Sequence, residues 1–201
     1  MIRVLLADDE ELVRTAVAAL LALEDDLEVV AQAQDGPGAV DAALAHRPDV
    51  AVVDLEMPGT DGVQVAAELA RSLPGCRVVV LTGRGRPGHL RRALEAGARG
   101  FVTKGASGAT LAGVVRLVHG GGRYVDPGLA ADALSTPDCP LSPRELEVLR
   151  LASFGLPNAV IAQRAHLAPG TVRNYLLAAQ TKLDASSRAE AVRTAERFGW
   201  L

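Results

Sequence analysis

Val50-Ala51-Val52-Val53-Asp54-Leu55-Glu56-Met57-Pro58-Gly59 is the stretch on which the fold of the first 120 residues turns. Four consecutive apolar residues, three of them β-branched, suit a strand buried on both faces, and Pro58-Gly59 supplies a turn soon after it. A carboxylate, Asp54, closes the strand where the apolar run ends. Short runs of the same kind lie at Val4 to Ala7, Glu28 to Ala33, Val78 to Leu81 and Gly100 to Val102. The segments between them carry helical spacing instead: Val13, Ala16, Val17 and Leu20 within Glu11 to Leu23, and Leu111, Val114, Val115 and Val118 in the last of them. Strand and helix alternate five times. That order predicts right-handed crossovers and an α/β doubly wound five-stranded parallel sheet over residues 1–120.

Ligands of such folds sit at the carboxyl ends of the strands, and this edge is where the chain concentrates its reactive side chains. Asp8 and Asp9 follow strand one, Asp54 ends strand three, Thr82 ends strand four and Lys104 follows strand five. In a sheet ordered 2-1-3-4-5, strands one and three are neighbours, so the three carboxylates converge. Magnesium answers such a cluster, because it takes oxygen ligands and keeps water and phosphate oxygens in its shell. Thr82 is then placed to hydrogen-bond one phosphoryl oxygen and Lys104 to neutralise another. Taken singly, each residue has a plainer reading: two acids after a strand often only cap the next helix, and a threonine at a strand end is commonly an ordinary loop residue. Their joint placement at matching strand ends favours the phosphoryl site. Lysine is also scarce, for among 21 basic residues only Lys104 and Lys182 are lysines, so each is expected where an arginine fails.

Asp8-Asp9-Glu10, the run Asp54-Leu55-Glu56-Met57-Pro58-Gly59-Thr60-Asp61-Gly62, Thr82 and Phe101-Val102-Thr103-Lys104 together resemble the signature of receiver domains, whose sheet is flavodoxin-like. The resemblance implies that Asp54 is the phosphoacceptor. It makes Asp9 a direct magnesium ligand, Asp8 a mostly water-mediated one and the backbone carbonyl of Glu56 a further ligand. Thr82 and Phe101 become the switch pair, and Lys104 steadies the phosphoryl group. The sequence departs from the pattern at Gly105, where many receivers have proline.

Gly120-Gly121-Gly122 ends the last helix of this domain, and residues 121–140, with Pro127, Gly128, Pro137 and Pro140, read as a linker around a short helix near Leu129 to Leu134. Ser142-Pro143-Arg144-Glu145 opens a new helix, with serine at the N-cap, proline in the first turn and glutamate three residues after the cap. Breaks at Gly155 to Pro157, Leu167 to Gly170 and Asp184 to Ser187 divide residues 141–201 into an all-α, four-helix domain. It holds 5 acidic against 8 basic residues, whereas residues 1–120 hold 16 against 12, a balance compatible with nucleic acid at the second domain.

Leu141-Ser142-Pro143-Arg144-Glu145, Val148-Leu149, Asn158, Ile161-Ala162, Gly170-Thr171-Val172, Lys182-Leu183 and Arg188-Ala189-Glu190-Ala191 resemble the LuxR-type helix-turn-helix of NarL/FixJ-type two-component response regulators. The run Gly170 to Tyr175 is most similar to DesR-like members. The resemblance implies a transcription factor and not an enzyme: Asp54 phosphorylated by a sensor histidine kinase, a homodimer formed in response, and DNA bound by the dimer. Asn158 to Ala165 would be the scaffold helix and Thr171 to Leu183 the recognition helix. Helical spacing turns Val172, Tyr175, Leu176, Ala179 and Leu183 inward and leaves Arg173, Asn174 and Leu177 to read base edges. Thr171, Lys182 and Arg188 are better placed for phosphates. Ala168 stands where a capping serine is usual. Surfaces from the first or the last receiver helices are expected to pair, with Ala191, Val192 and Ala195 of the final helix as a second contact.

Other classes fit less well. No apolar stretch is long enough for a membrane span and the amino terminus lacks the zones of a signal peptide, so a cytoplasmic protein is expected. Cys76 and Cys139 are far apart and lack metal-ligand neighbours. Gly83 to Gly88 formally satisfies GxGxxG but lies in the fourth strand-helix unit, where a dinucleotide site would use the first, and it reads as a flexible loop. His46, His89, His119 and His166 form no persuasive triad with serine and aspartate and read as surface or packing residues. An aspartyl-phosphate phosphatase built on Asp54 would need a second aspartate where Glu56 stands. A receiver-linked adaptor that contacts protein in place of DNA is the remaining alternative.

Overall fold

A computed structural model describes residues 1–83, 87–135 and 137–201, so the loop reading of Gly83 to Gly88 falls largely outside the described residues. The chain divides into two compact units, one built mainly from the residues up to Ala133 and the other mainly from Leu134–Leu201.

In the first unit the elements follow in the order β1 (Ile2–Ala7), α1 (Glu11–Leu21), β2 (Leu27–Ala33), α2 (Gly36–His46), β3 (Val50–Asp54), α3 (Gly62–Ser72), β4 (Arg77–Thr82), α4 (Pro87–Glu95), β5 (Gly100–Thr103), α5 (Gly108–His119), β6 (Tyr124–Val125) and α6 (Pro127–Ser135). All strands pair in parallel, in the order β2-β1-β3-β4-β5-β6. The period of two along each central strand sorts side chains cleanly between two cores. Leu5, Ala7, Ala51, Val53, Val78, Val80 and Phe101 face α2, α3 and α4, whereas Val4, Leu6, Val50, Val52, Val79, Leu81 and Val102 face α1 and α5.

The sheet has six strands, not the five expected. The sixth lies inside residues 121–140, the stretch read as linker. Tyr124 donates to the Arg99 carbonyl at 2.9 Å and Asp126 to the Phe101 carbonyl at 3.0 Å, which docks β6 on β5. Asp126 then accepts the Gly128 N–H at 3.0 Å and so starts α6, whose Leu129 is buried in the core.

The second unit consists of α7 (Pro143–Ser153), α8 (Asn158–Arg164), α9 (Pro169–Lys182) and α10 (Arg188–Arg197). Its core gathers Val148, Leu149, Ile161, Val172, Leu176, Ala179, Ala191, Ala195 and Trp200. α7 begins with a complete capping box: Ser142 accepts the Glu145 N–H and Glu145 accepts the Ser142 N–H. α9 begins at Pro169 with Ala168 at its N-cap, and no side chain caps it. Among the described residues no helix is long and apolar enough to cross a membrane, and neither cysteine forms a disulfide.

Candidate functional site

Parallel pairing with β1 and β4 brings the end of β3 level with theirs, because Val53 pairs with Ala7 and Asp54 with Leu81. The chain past Asp54 is held by two backbone bonds, Leu55 N–H to Leu81 O at 2.8 Å and Gly62 N–H to Leu55 O at 2.9 Å. Gly62 is required there: a Cβ would stand 2.3 Å from the Asp54 carbonyl oxygen. Gly59 turns the intervening loop with φ +79, a conformation that favours glycine.

Asp8, Asp9 and Asp54 are thereby brought together, each offering a carboxylate oxygen within 4.8 Å of the others. Asp8 and Asp54 are buried and Asp9 is exposed, so the cluster opens on one side. Asp8 Oδ1 accepts the Glu10 N–H at 2.9 Å, which is the helix-start role that two acids after a strand commonly play. Its Oδ2 is fully buried and makes no well-aligned hydrogen bond among the described residues, although the Lys104 ammonium lies 2.9 Å away. That ammonium also reaches Glu10 Oε1 at 3.0 Å and Asp54 Oδ1 at 3.3 Å. Thr82 is buried at the end of β4, and its carbonyl accepts the Lys104 N–H at 2.8 Å.

Negative charge is in excess even with Lys104 included. Burial pushes the Asp54 carboxyl up to about 6; the Lys104 charge opposes the rise and Asp8 adds to it. Burial works against the charge of Lys104, but the close carboxylates of Asp8, Glu10 and Asp54 outweigh burial and hold it above its ordinary value. Three hard oxygen donors, one of them with an unused buried lone pair, fit magnesium. Glu56 is exposed on the loop after β3, and Phe101 is fully buried in the core under α2, α3 and α4. The Lys104–Gly105 peptide is trans, as are the others among the described residues.

In the second unit, α9 turns Val172, Leu176 and Ala179 into the core and half-buries Tyr175 and Leu183. Arg173, Asn174 and Leu177 are exposed on the opposite face, with Thr171 half-buried at its start. Lys182 and Arg188, expected at phosphates, have their charged ends on protein oxygens. Lys182 Nζ is 2.8 Å from Glu145 Oε2, and Arg188 Nη2 donates to the carbonyls of Ala152 at 2.7 Å and Leu156 at 2.9 Å. Ala191 and Ala195 are fully buried in this unit's own core, which corrects the expectation that they add a contact between copies.

A receiver sheet followed by a helix-turn-helix is the arrangement that comparison with known proteins bears out. The response regulator receiver domain family matches residues 4–116, and the bacterial regulatory proteins of the luxR family match residues 139–195. The chain belongs to the NarL/FixJ-type response regulators. It is 39% identical over 200 residues to the transcriptional regulatory protein DesR of Bacillus subtilis, covering 100% of this chain and 99% of that protein. The response regulator RamR of Streptomyces coelicolor is 41% identical over 200 residues, covering 100% and 98%. The crystal structure of the response regulator ChrA, from a heme-sensing two-component system, aligns with 33% identity and a TM-score of 0.60 over 100% of this chain and 98% of that one. Response regulators of this type bind DNA and are phosphorylated by histidine kinases, and their receivers bind magnesium at an acidic pocket. They are regulators, not enzymes.

Sequence reasoning placed the pocket residues but missed two partners in this response regulator. Glu10 was quoted only as part of a motif, yet it shares the Lys104 ammonium. Glu145 was legible as a capping residue from Ser142-Pro143-Arg144-Glu145, but nothing local signals that Lys182, 37 residues later, neutralises it.

Proposed function

We propose that Asp54 accepts a phosphoryl group from a sensor histidine kinase and that the modified chain binds DNA as a dimer. The observation that carries this reading is the convergence of Asp8, Asp9 and Asp54 within 4.8 Å, with the Lys104 ammonium 3.3 Å from Asp54 Oδ1. An Asp54 oxygen forms the new bond to phosphorus as the bond to the kinase's phosphohistidine nitrogen breaks, and the product is an acyl phosphate. Asp9 and Asp54 would hold magnesium directly, Asp8 through water and Glu56 through its backbone carbonyl, and the bound ion would supply charge neutralisation at the phosphoryl oxygens. Lys104 moves from shared carboxylates to a phosphoryl oxygen, and Thr82 donates its hydroxyl to another. Because Phe101 is fully buried, any response of Phe101 to Thr82 has to be matched by repacking around it.

The dimer is supported by apolar side chains left exposed on one side of the receiver, Leu12 and Leu20 of α1 and Leu117 of α5. Each DNA-binding domain then meets one half-site about one helical turn from the other, and the second contact gains effective concentration from the first. Arg173 suits guanine O6 and N7, Asn174 an adenine edge and Leu177 a thymine methyl, while Thr171 lies nearest the backbone. Sedimentation of the full chain with and without acetyl phosphate and magnesium, beside binding to whole and half operators, tests the reading. Mass and operator affinity should rise together; if both are unchanged on phosphorylation, the dimer switch is wrong.

A further inference from the structure

Lys182 and Arg188 approach the two ends of one helix. Lys182, the last residue of α9, sets its ammonium 2.8 Å from Glu145 Oε2 at the start of α7. Glu145 is buried, and the same oxygen accepts the Ser142 N–H at 2.6 Å. Arg188, the first residue of α10, donates to the Ala152 and Leu156 carbonyls, which flank the end of α7. The Ala152 carbonyl also accepts the Gly155 N–H at 3.1 Å, and the guanidinium links it to the Leu156 carbonyl, bracing the turn toward α8. Between these two ties, α7 and α9 share the core through Val148, Leu149, Val172, Leu176 and Ala179.

We infer that Lys182 is a positioning residue, which fixes the recognition helix against α7 by its bond to Glu145 and does not act as a phosphate contact, while Arg188 ties α10 to the α7–α8 turn. The inference rests on the reading of Arg173, Asn174 and Leu177 as base contacts. Nine residues separate Lys182 from Arg173, roughly 13 Å of helix at 1.5 Å per residue. A pin at one end of that length holds the other end in the register that bidentate base contacts demand. The Glu145–Lys182 pair is neutral as a unit, so removing it takes little net charge from the DNA-facing surface. Removing a lysine bound to phosphate would instead lower the salt dependence of binding by about one unit of slope, since each phosphate neutralised contributes roughly 0.9.

The test uses the full chain, a duplex enriched by the wild-type protein from a random library, and a scrambled duplex of equal length. Lys182→Met, Glu145→Gln and the double variant are compared; glutamine keeps the capping bond to Ser142 and removes only the charge. The expected result is an approximately tenfold loss of selectivity between the two duplexes for each single variant, with an unchanged salt slope. The double variant should be no worse than either single one, and melting temperatures should show the same non-additivity. A fall in salt slope of about one for Lys182→Met, with Glu145→Gln neutral or tighter, would make Lys182 a phosphate contact. Loss of active protein with selectivity and slope intact would reduce the pair to a fold-stabilising role. Either outcome overturns the inference. A wild-type chain that enriches no duplex overturns the base-contact reading and the inference together, whereas additive melting losses beside normal wild-type binding overturn the inference alone.

Discussion

The chain's two lysines stand in opposite kinds of acidic surroundings. Lys104 is shared among Asp8, Glu10 and Asp54, with Asp9 close by, and one buried oxygen of Asp8 lacks an aligned donor. Lys182 meets one carboxylate, Glu145, one oxygen of which takes both the ammonium and the Ser142 N–H. The first group has more charge and more lone pairs than its own partners can satisfy; the second is one acid paired with one base. Titration separates them in sign. Burial dominates at Asp54 and pushes its carboxyl up to about 6. At Glu145 burial also opposes the charge, but Lys182 and Ser142 outweigh it and hold the carboxyl below its usual range. A buried acid left partly unsatisfied is poised for a ligand, and a satisfied one is a strut.

Neutralising each acid is the strongest way to break that contrast. Between pH 4 and about 6 the folded state keeps a proton on Asp54 that the unfolded chain releases, so this group's contribution to stability falls as pH rises through that window. Asp54→Asn should therefore gain on wild type with rising pH and, above pH 6 without magnesium, be more stable by of the order of 3 kcal/mol. Glu145→Gln should do the reverse. Its depressed carboxyl contributes stability above the unfolded pKa, and that is lost as pH falls, so the variant costs about 1 to 3 kcal/mol at neutral pH and less in acid. Urea unfolding at pH 4.5 and pH 7.5 checks both, and equal signs would erase the distinction.

Readout by the exposed face of α9 comes next in size. Arg173→Ala should cost about 1 to 3 kcal/mol of operator affinity and relax preference at one base position per half-site, measured on matched and mismatched operators. An equal loss on every sequence would move Arg173 to the phosphates.

The contrast between the lysines also marks where the sequence could be read and where it could not. Asp8, Asp54, Thr82 and Lys104 were legible because strand ends in a parallel sheet fall on one edge, so alternation alone assembled the pocket. β6 was not legible. Two residues between Gly122 and Pro127 carry no period, and only the carbonyls of Arg99 and Phe101 on the neighbouring strand make them a strand. The inward ties of Lys182 and Arg188 escaped for a related reason: a basic residue on a helix looks the same whether its partner is a phosphate or a carboxylate brought in from 37 residues away. Ala191 and Ala195 were expected at a contact between copies, but they pack inside their own domain.

Ala168 offers the smallest effect and a check on the second unit's local chemistry. It sits at the N-cap of α9 with extended backbone, φ −75 and ψ 147, and makes no side-chain cap. Ala168→Ser should stabilise the chain by about 1 kcal/mol, read as a rise in melting temperature, while leaving the salt dependence of DNA binding unchanged.

The phosphoryl-acceptor role of Asp54 is tested most directly by intact-mass measurement of the full chain after incubation with magnesium and acetyl phosphate. Wild type should carry one phosphoryl group and Asp54→Ala none. Stoichiometric labelling that persists in Asp54→Ala would contradict the assignment.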